Sequence, residues 1–80
     1  MTQEEEQYYN TYFDLFLTPG WKQFKEEIQQ IFDAYRIEDI KDERNLAFIK
    51  GERDAFRRVL KFEGGIKRAF EIIKEREAEE

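Results

Sequence analysis

The sequence predicts an all-α protein: a small helical bundle built on an antiparallel helical hairpin, with short N- and C-terminal helices. Three observations predict it. Apolar residues recur at intervals of three and four over most of the chain, the period of a helix that buries one side. Helix-start chemistry stands at Thr18-Pro19 and at Asp42-Glu43, directly ahead of two such periodic stretches. Gly64-Gly65 is a pair able to take the left-handed conformation that closes a helix.

Eighty residues make a single domain, and a core of this size contributes only a few kcal/mol. The chain has no cysteine and no histidine, which removes disulfides and the usual zinc sites as reinforcement. Association with other chains is the remaining route to extra stability.

Residues 1–7 are polar and acidic and are expected to be flexible. The composition then changes to Tyr8, Tyr9, Tyr12, Phe13, Leu15, Phe16 and Leu17. On a helix, Tyr8, Tyr12 and Phe16 share one face, and Tyr9, Phe13 and Leu17 share the next. That surface exceeds what one side of a small bundle covers, so part of it is expected to dock onto another chain. A helix is expected near 7–17.

Thr18 is suited to be the N-cap and Pro19 the first residue of a second helix, near 19–36. Its apolar positions, Trp21, Phe24, Ile28, Ile31 and Tyr35, form a heptad-like seam with Phe32 beside it. The link through residues 36–41 is short, with Ile37 and Ile40 expected beneath the hairpin end, so the next helix returns antiparallel.

That third helix, near 42–63, is the centre of the chain. Leu46, Ile49, Phe56 and Leu60 make one apolar stripe, and Phe48, Ala55, Val59 and Phe62 make a second, so it packs on two sides. Phe56 and Leu60 are expected to meet Phe24, Ile28 and Ile31. Gly51 inside it costs about 1 kcal/mol against alanine, which suits close approach of another backbone or is a tolerated defect. A last helix near 66–78 carries Ile66, Ala69, Phe70 and Ile73 on one face.

The net charge of −5 is unevenly spread: residues 1–17 and 69–80 are acidic, and 50–68 are basic. Lys50, Arg57 and Lys61 form a stripe with Arg58 to its side, but Asp54 interrupts it and acidic segments flank it, so nucleic acid is an unlikely partner. No segment has the length and apolarity of a membrane span, nor the pattern of a signal peptide. The absence of serine, cysteine and histidine removes the common nucleophile–base pairs, and no phosphate-binding glycine loop is present. The expectation is a protein that is not an enzyme, needs no cofactor or metal and binds other protein chains. Its candidate contact residues are Tyr8, Tyr9, Tyr12, Phe13 and Phe16, with Phe48 and Val59 on the second stripe and Arg57 and Arg58 on the basic side.

The aromatic segment followed by Thr18-Pro19-Gly20-Trp21-Lys22-Gln23-Phe24, with Ile40, Asp42, Glu43, Leu46, Phe48, Lys50 and Gly51 downstream, resembles small proteins of podovirus-type tailed bacteriophages. The likeness spans roughly residues 12–62. Where those proteins carry polar or proline-bearing residues after the second long helix, this chain has Phe62-Glu63-Gly64-Gly65. The resemblance implies a structural or assembly protein of the virion, made in the host cytoplasm, whose partners are capsid, portal or tail proteins or copies of itself. The competing expectation is a small acidic phage regulator that binds and inhibits a host protein.

Overall fold

A computed structural model of the chain describes residues 1–35 and 42–79. These fold into three helices, α1 (Gln3–Phe16), α2 (Pro19–Ala34) and α3 (Glu43–Glu79), and among the described residues there is no strand.

Helix α1 begins at Gln3, earlier than the start near residue 7 that the sequence leads one to expect. The cause is local. Thr2 and Glu5 form a capping box: the Glu5 N–H donates to the Thr2 hydroxyl at 3.1 Å, and the Thr2 N–H donates to the Glu5 carboxylate at 3.3 Å. Glu4, Glu5 and Glu6 also lie in the first turn, where the helix dipole favours negative charge. The Met1 amino group then pairs with Glu77 at the far end of α3.

Thr18 joins α1 to α2. Its hydroxyl donates to the Leu15 carbonyl at 2.7 Å and accepts from the Trp21 N–H at 3.1 Å, so one side chain closes the first helix and caps the second. Pro19 occupies the first turn of α2, as its sequence context predicts. At the start of α3 the Asp42 carboxylate accepts from the Arg44 N–H at 3.0 Å, and the Asp42 carbonyl accepts from Leu46.

Side-chain contacts fix how the helices lie. Tyr9 and Phe13 meet Phe70, with ring centroids 5.5 and 5.1 Å apart, and Tyr12 and Phe16 meet Phe62 at 5.1 and 6.1 Å. Trp21 also reaches Phe62, at 6.5 Å, while Tyr35 lies against Phe56, at 6.1 Å. Both α1 and α2 therefore run opposite to α3. They follow one another along it, α1 on the C-terminal half and α2 on the N-terminal half. The 55 Å length of the molecule is that of α3, whose 37 residues rise about 1.5 Å each.

The separate C-terminal helix expected after Gly64-Gly65 does not exist: α3 runs through both glycines, and neither has a positive φ. Packing accounts for this. Ile66, Phe70 and Ile73 continue the line begun by Phe62, and α1 lies along that line on both sides of the glycines. Lys67 also reaches back across Gly64-Gly65 to Glu63, at 2.7 Å. These contacts offset the roughly 1 kcal/mol that each glycine costs a helix.

The seam of α2 is also rotated from the expected one. Trp21, Lys25, Ile28, Phe32 and Tyr35 face α3, whereas Phe24 and Ile31 are 43% and 44% exposed. Phe32 takes the inward position because Arg53 and Arg57 lie over its ring, at 4.7 and 5.6 Å from the centroid. Of the three α2 residues expected beneath Phe56 and Leu60, only Ile28 is buried. Ile37 and Ile40 lie outside the described residues.

Candidate functional site

Among the described residues only Tyr9, Phe16 and Ile28 are buried apolar side chains, and no group of acidic residues is arranged to hold a metal ion. A polar joint ties the three helices together.

That joint centres on Glu63. One carboxylate oxygen accepts from the Trp21 indole N–H and from the Lys25 ammonium, each at 2.7 Å, and the other accepts from Lys67 at 2.7 Å. Lys25, then Lys67, then Trp21 hold the carboxyl well below its ordinary 4.5, at about 2. A carboxylate held this strongly ionised, between two lysines, is not placed to exchange protons near neutral pH. It ties the α1–α2 corner to α3. Sequence reasoning missed Glu63, although two signals pointed to it: it is one of the few acids in the basic stretch 50–68, and a core tryptophan needs an acceptor for its N–H. At the other end of α2 the Tyr35 hydroxyl donates to Glu52 at 2.9 Å. Desolvation first, and then the bond to Glu52 and its charge, raise that hydroxyl above its ordinary 10.0.

The candidate contact residues fall into three groups. Tyr9 and Phe16, both among the candidate contact residues, are turned into the chain's own core. Tyr12 and Phe13 are half-buried against Phe62 and Phe70. Tyr8 remains outside, 51% exposed, set edge-on to Tyr9 and Tyr12.

On α3, Phe48 is 66% exposed and Val59 is half-buried. Arg57 is engaged by Asp54 at 3.1 Å as well as by Phe32, while Arg58 is exposed. The basic residues are thus not one uniform surface.

Two exposed apolar areas emerge. The first is on α1, where Tyr8 and Leu15, the latter 40% exposed, stand on one flank of its buried face and Leu17, 76% exposed, stands on the other flank at the corner. Beside Leu17 a small cavity is lined by Phe13, Phe16 and Lys67. The second lies on α2 and α3 and holds Phe24, Ile31 and Phe48. Leu15, Leu17, Phe24 and Ile31 were not singled out as contact residues from the sequence. They sit at the borders of apolar stripes, where periodicity alone does not separate a core position from a flank.

No described helix is long and apolar enough to cross a membrane. No protein-family model, curated protein or solved structure matches this chain.

Proposed function

We propose that this chain is a non-enzymatic structural or assembly subunit of a bacteriophage particle, docking onto larger virion proteins of the capsid, portal or tail. In this reading α2 and the N-terminal half of α3 form an antiparallel helical hairpin, and α1 presents a docking edge beside it. The observation that carries the docking role is the surface at the α1–α2 corner: Leu17, with a small apolar-lined cavity beside it, on a chain with only three buried apolar side chains among its described residues. Leu17 is 76% exposed at a corner where the Thr18 hydroxyl bonds to both flanking helices. An aliphatic knob beside a small cavity is a shape that a complementary partner surface can enclose.

The particle assignment is supported by the Thr18–Phe24 resemblance. The chain's surface favours a resident subunit over a soluble regulator of a host protein, because its exposed apolar groups occur on two separate areas, as suits a piece with more than one neighbour. Mass spectrometry of purified particles tests the assignment. The expected result is many copies retained through washing, whereas a regulator is absent from particles and recovered with a host protein.

A further inference from the structure

We propose that Arg53 and Arg57, held over Phe32, form with Lys50 a binding site for a doubly charged phosphate group, as carried by a phosphate monoester. The inference does not depend on the particle assignment.

Lys50, Arg53 and Arg57 stand at i, i+3 and i+7 on α3, so their side chains emerge along one flank of the helix. With Asp54 they line a cavity of about 200 Å³. Its walls thus carry three positive charges against one negative.

The way the arginines are held separates this cluster from the other charges of the chain. Both guanidinium groups lie over the Phe32 ring, at 4.7 and 5.6 Å from its centroid, and both side chains are half-buried. Packing against α2 therefore orders two long side chains before any ligand arrives, which lowers the entropic cost of binding one. Asp54 steers Arg57 further, at 3.1 Å. Arg53 pairs with no carboxylate among the described residues, and its Nε is buried without an acceptor. Elsewhere the cations are engaged: Lys25 and Lys67 by Glu63, and Arg68 by Glu71 and Glu75. A guanidinium fixed in place with its donors unmet is an arrangement that an oxyanion completes.

Charge selects the ligand. Three cations less one carboxylate leave two positive charges, which a dianion balances and a singly charged carboxylate or phosphodiester does not. The planar arginine fork matches a pair of phosphate oxygens, and the Lys50 ammonium adds a point charge at the exposed rim. Asp54 beside the site and the acidic segments 1–17 and 69–80 oppose a long polyanion.

NMR titration of the full chain with glycerol phosphate, a plain monoester, tests this at fixed ionic strength and about pH 7.5, where the second charge is present. The expected result is saturable shifts centred on residues 50–57, with a dissociation constant of about 1 mM. Dimethyl phosphate, the diester analogue, and acetate should each bind about 10-fold more weakly. Arg53→Gln should weaken glycerol phosphate binding by about 10-fold, whereas Lys22→Gln, near the other end of α2, should leave it unchanged. Asp54 is exposed, and Asp54→Asn should tighten binding by about 3-fold, a gain that loss of folding cannot produce. This readout holds if Arg53→Gln loosens the contact with Phe32. A phosphoserine peptide titrated beside a nucleoside monophosphate then shows, by the tighter of the two, which source of monoester the site takes. No shift at about 10 mM glycerol phosphate overturns the proposal. So does dimethyl phosphate that binds equally well, Lys22→Gln that weakens binding as much as Arg53→Gln, or Asp54→Asn that leaves it unaltered.

Discussion

The indole N–H of Trp21 donates to the carboxylate of Glu63 at 2.7 Å, and this bond joins the break between α1 and α2 to the middle of α3. The Trp21 ring also packs on Phe16 and Phe62, at 5.3 and 6.5 Å. One side chain thus touches all three helices. Trp21→Phe keeps an aromatic ring there but removes the donor. It is expected to cost about 1–3 kcal/mol, the loss of a hydrogen bond to a charged group together with some packing, measured by urea unfolding. Trp21→Ala should cost more, about 3–5 kcal/mol.

Glu63 makes stability depend on acid. Its folded pKa, about 2, lies below its ordinary 4.5, so the folded state favours the ionised form. That contribution is fully present above pH 4.5 and is lost as pH falls toward 2. The melting temperature of the wild type should therefore drop more steeply over this window than that of Glu63→Gln, and the two curves should converge at the acid end. Parallel curves would mean that Glu63 is not tied to Lys25 and Lys67 in solution.

Gly64 and Gly65 are helical, and a Cβ at either meets nothing within 4 Å. Gly64→Ala and Gly65→Ala should each raise stability by about 0.4–1 kcal/mol, because alanine restricts the unfolded chain and adds no clash. Had the pair closed a helix in the left-handed conformation, the same substitutions would destabilise. Thermal melts of the two variants separate these cases by sign alone.

Local chemistry made the helix starts legible, and long-range packing decided the rest. Thr18, Pro19 and Asp42 act where the sequence places them because a cap involves only residues a few positions apart. The Thr2–Glu5 box was equally local, but the acidic composition around it reads as disorder. The continuity of α3 was not legible, since what holds Gly64-Gly65 helical is α1, which is remote in sequence. The rotation of α2 had a similar origin: Phe32 turns inward because two arginines of α3 lie over it. Of the candidate contact residues, Tyr8 and Phe48 are exposed, whereas Tyr9 and Phe16 are not. A helical wheel shows that a stripe is wide without showing which part another helix will cover.

Phe16 is 5% exposed and packs on Tyr12, Trp21 and Phe62. Phe16→Ala should cost about 3–5 kcal/mol, a large share of what so small a domain has. Circular dichroism melts should show the variant partly unfolded at room temperature. Phe48→Ala, at a 66% exposed position, should change the stability of the isolated chain by no more than about 0.5 kcal/mol.

The docking role turns on a comparison between two pairs of residues in the same segment. Tyr9 and Phe13 pack on Phe70 of α3, while Tyr8 and Leu17 face outward at 51% and 76% exposure. Replacing Tyr9 and Phe13 by serine should unfold the chain, because it strips α1 from α3. Replacing Tyr8 and Leu17 by serine should leave the helical spectrum and melting temperature nearly unchanged, since surface positions usually contribute within about 0.5 kcal/mol. In particles assembled with each tagged variant, the Tyr8/Leu17 pair should be lost from the particle although folded. Buried by a partner, the two side chains would contribute several kcal/mol at about 25 cal/mol per Å² of apolar surface, enough that their removal releases the subunit. A folded Tyr8/Leu17 variant retained at wild-type copy number would show that docking uses neither flank of α1. The contact would then have to be sought on the face of Phe24, Ile31 and Phe48.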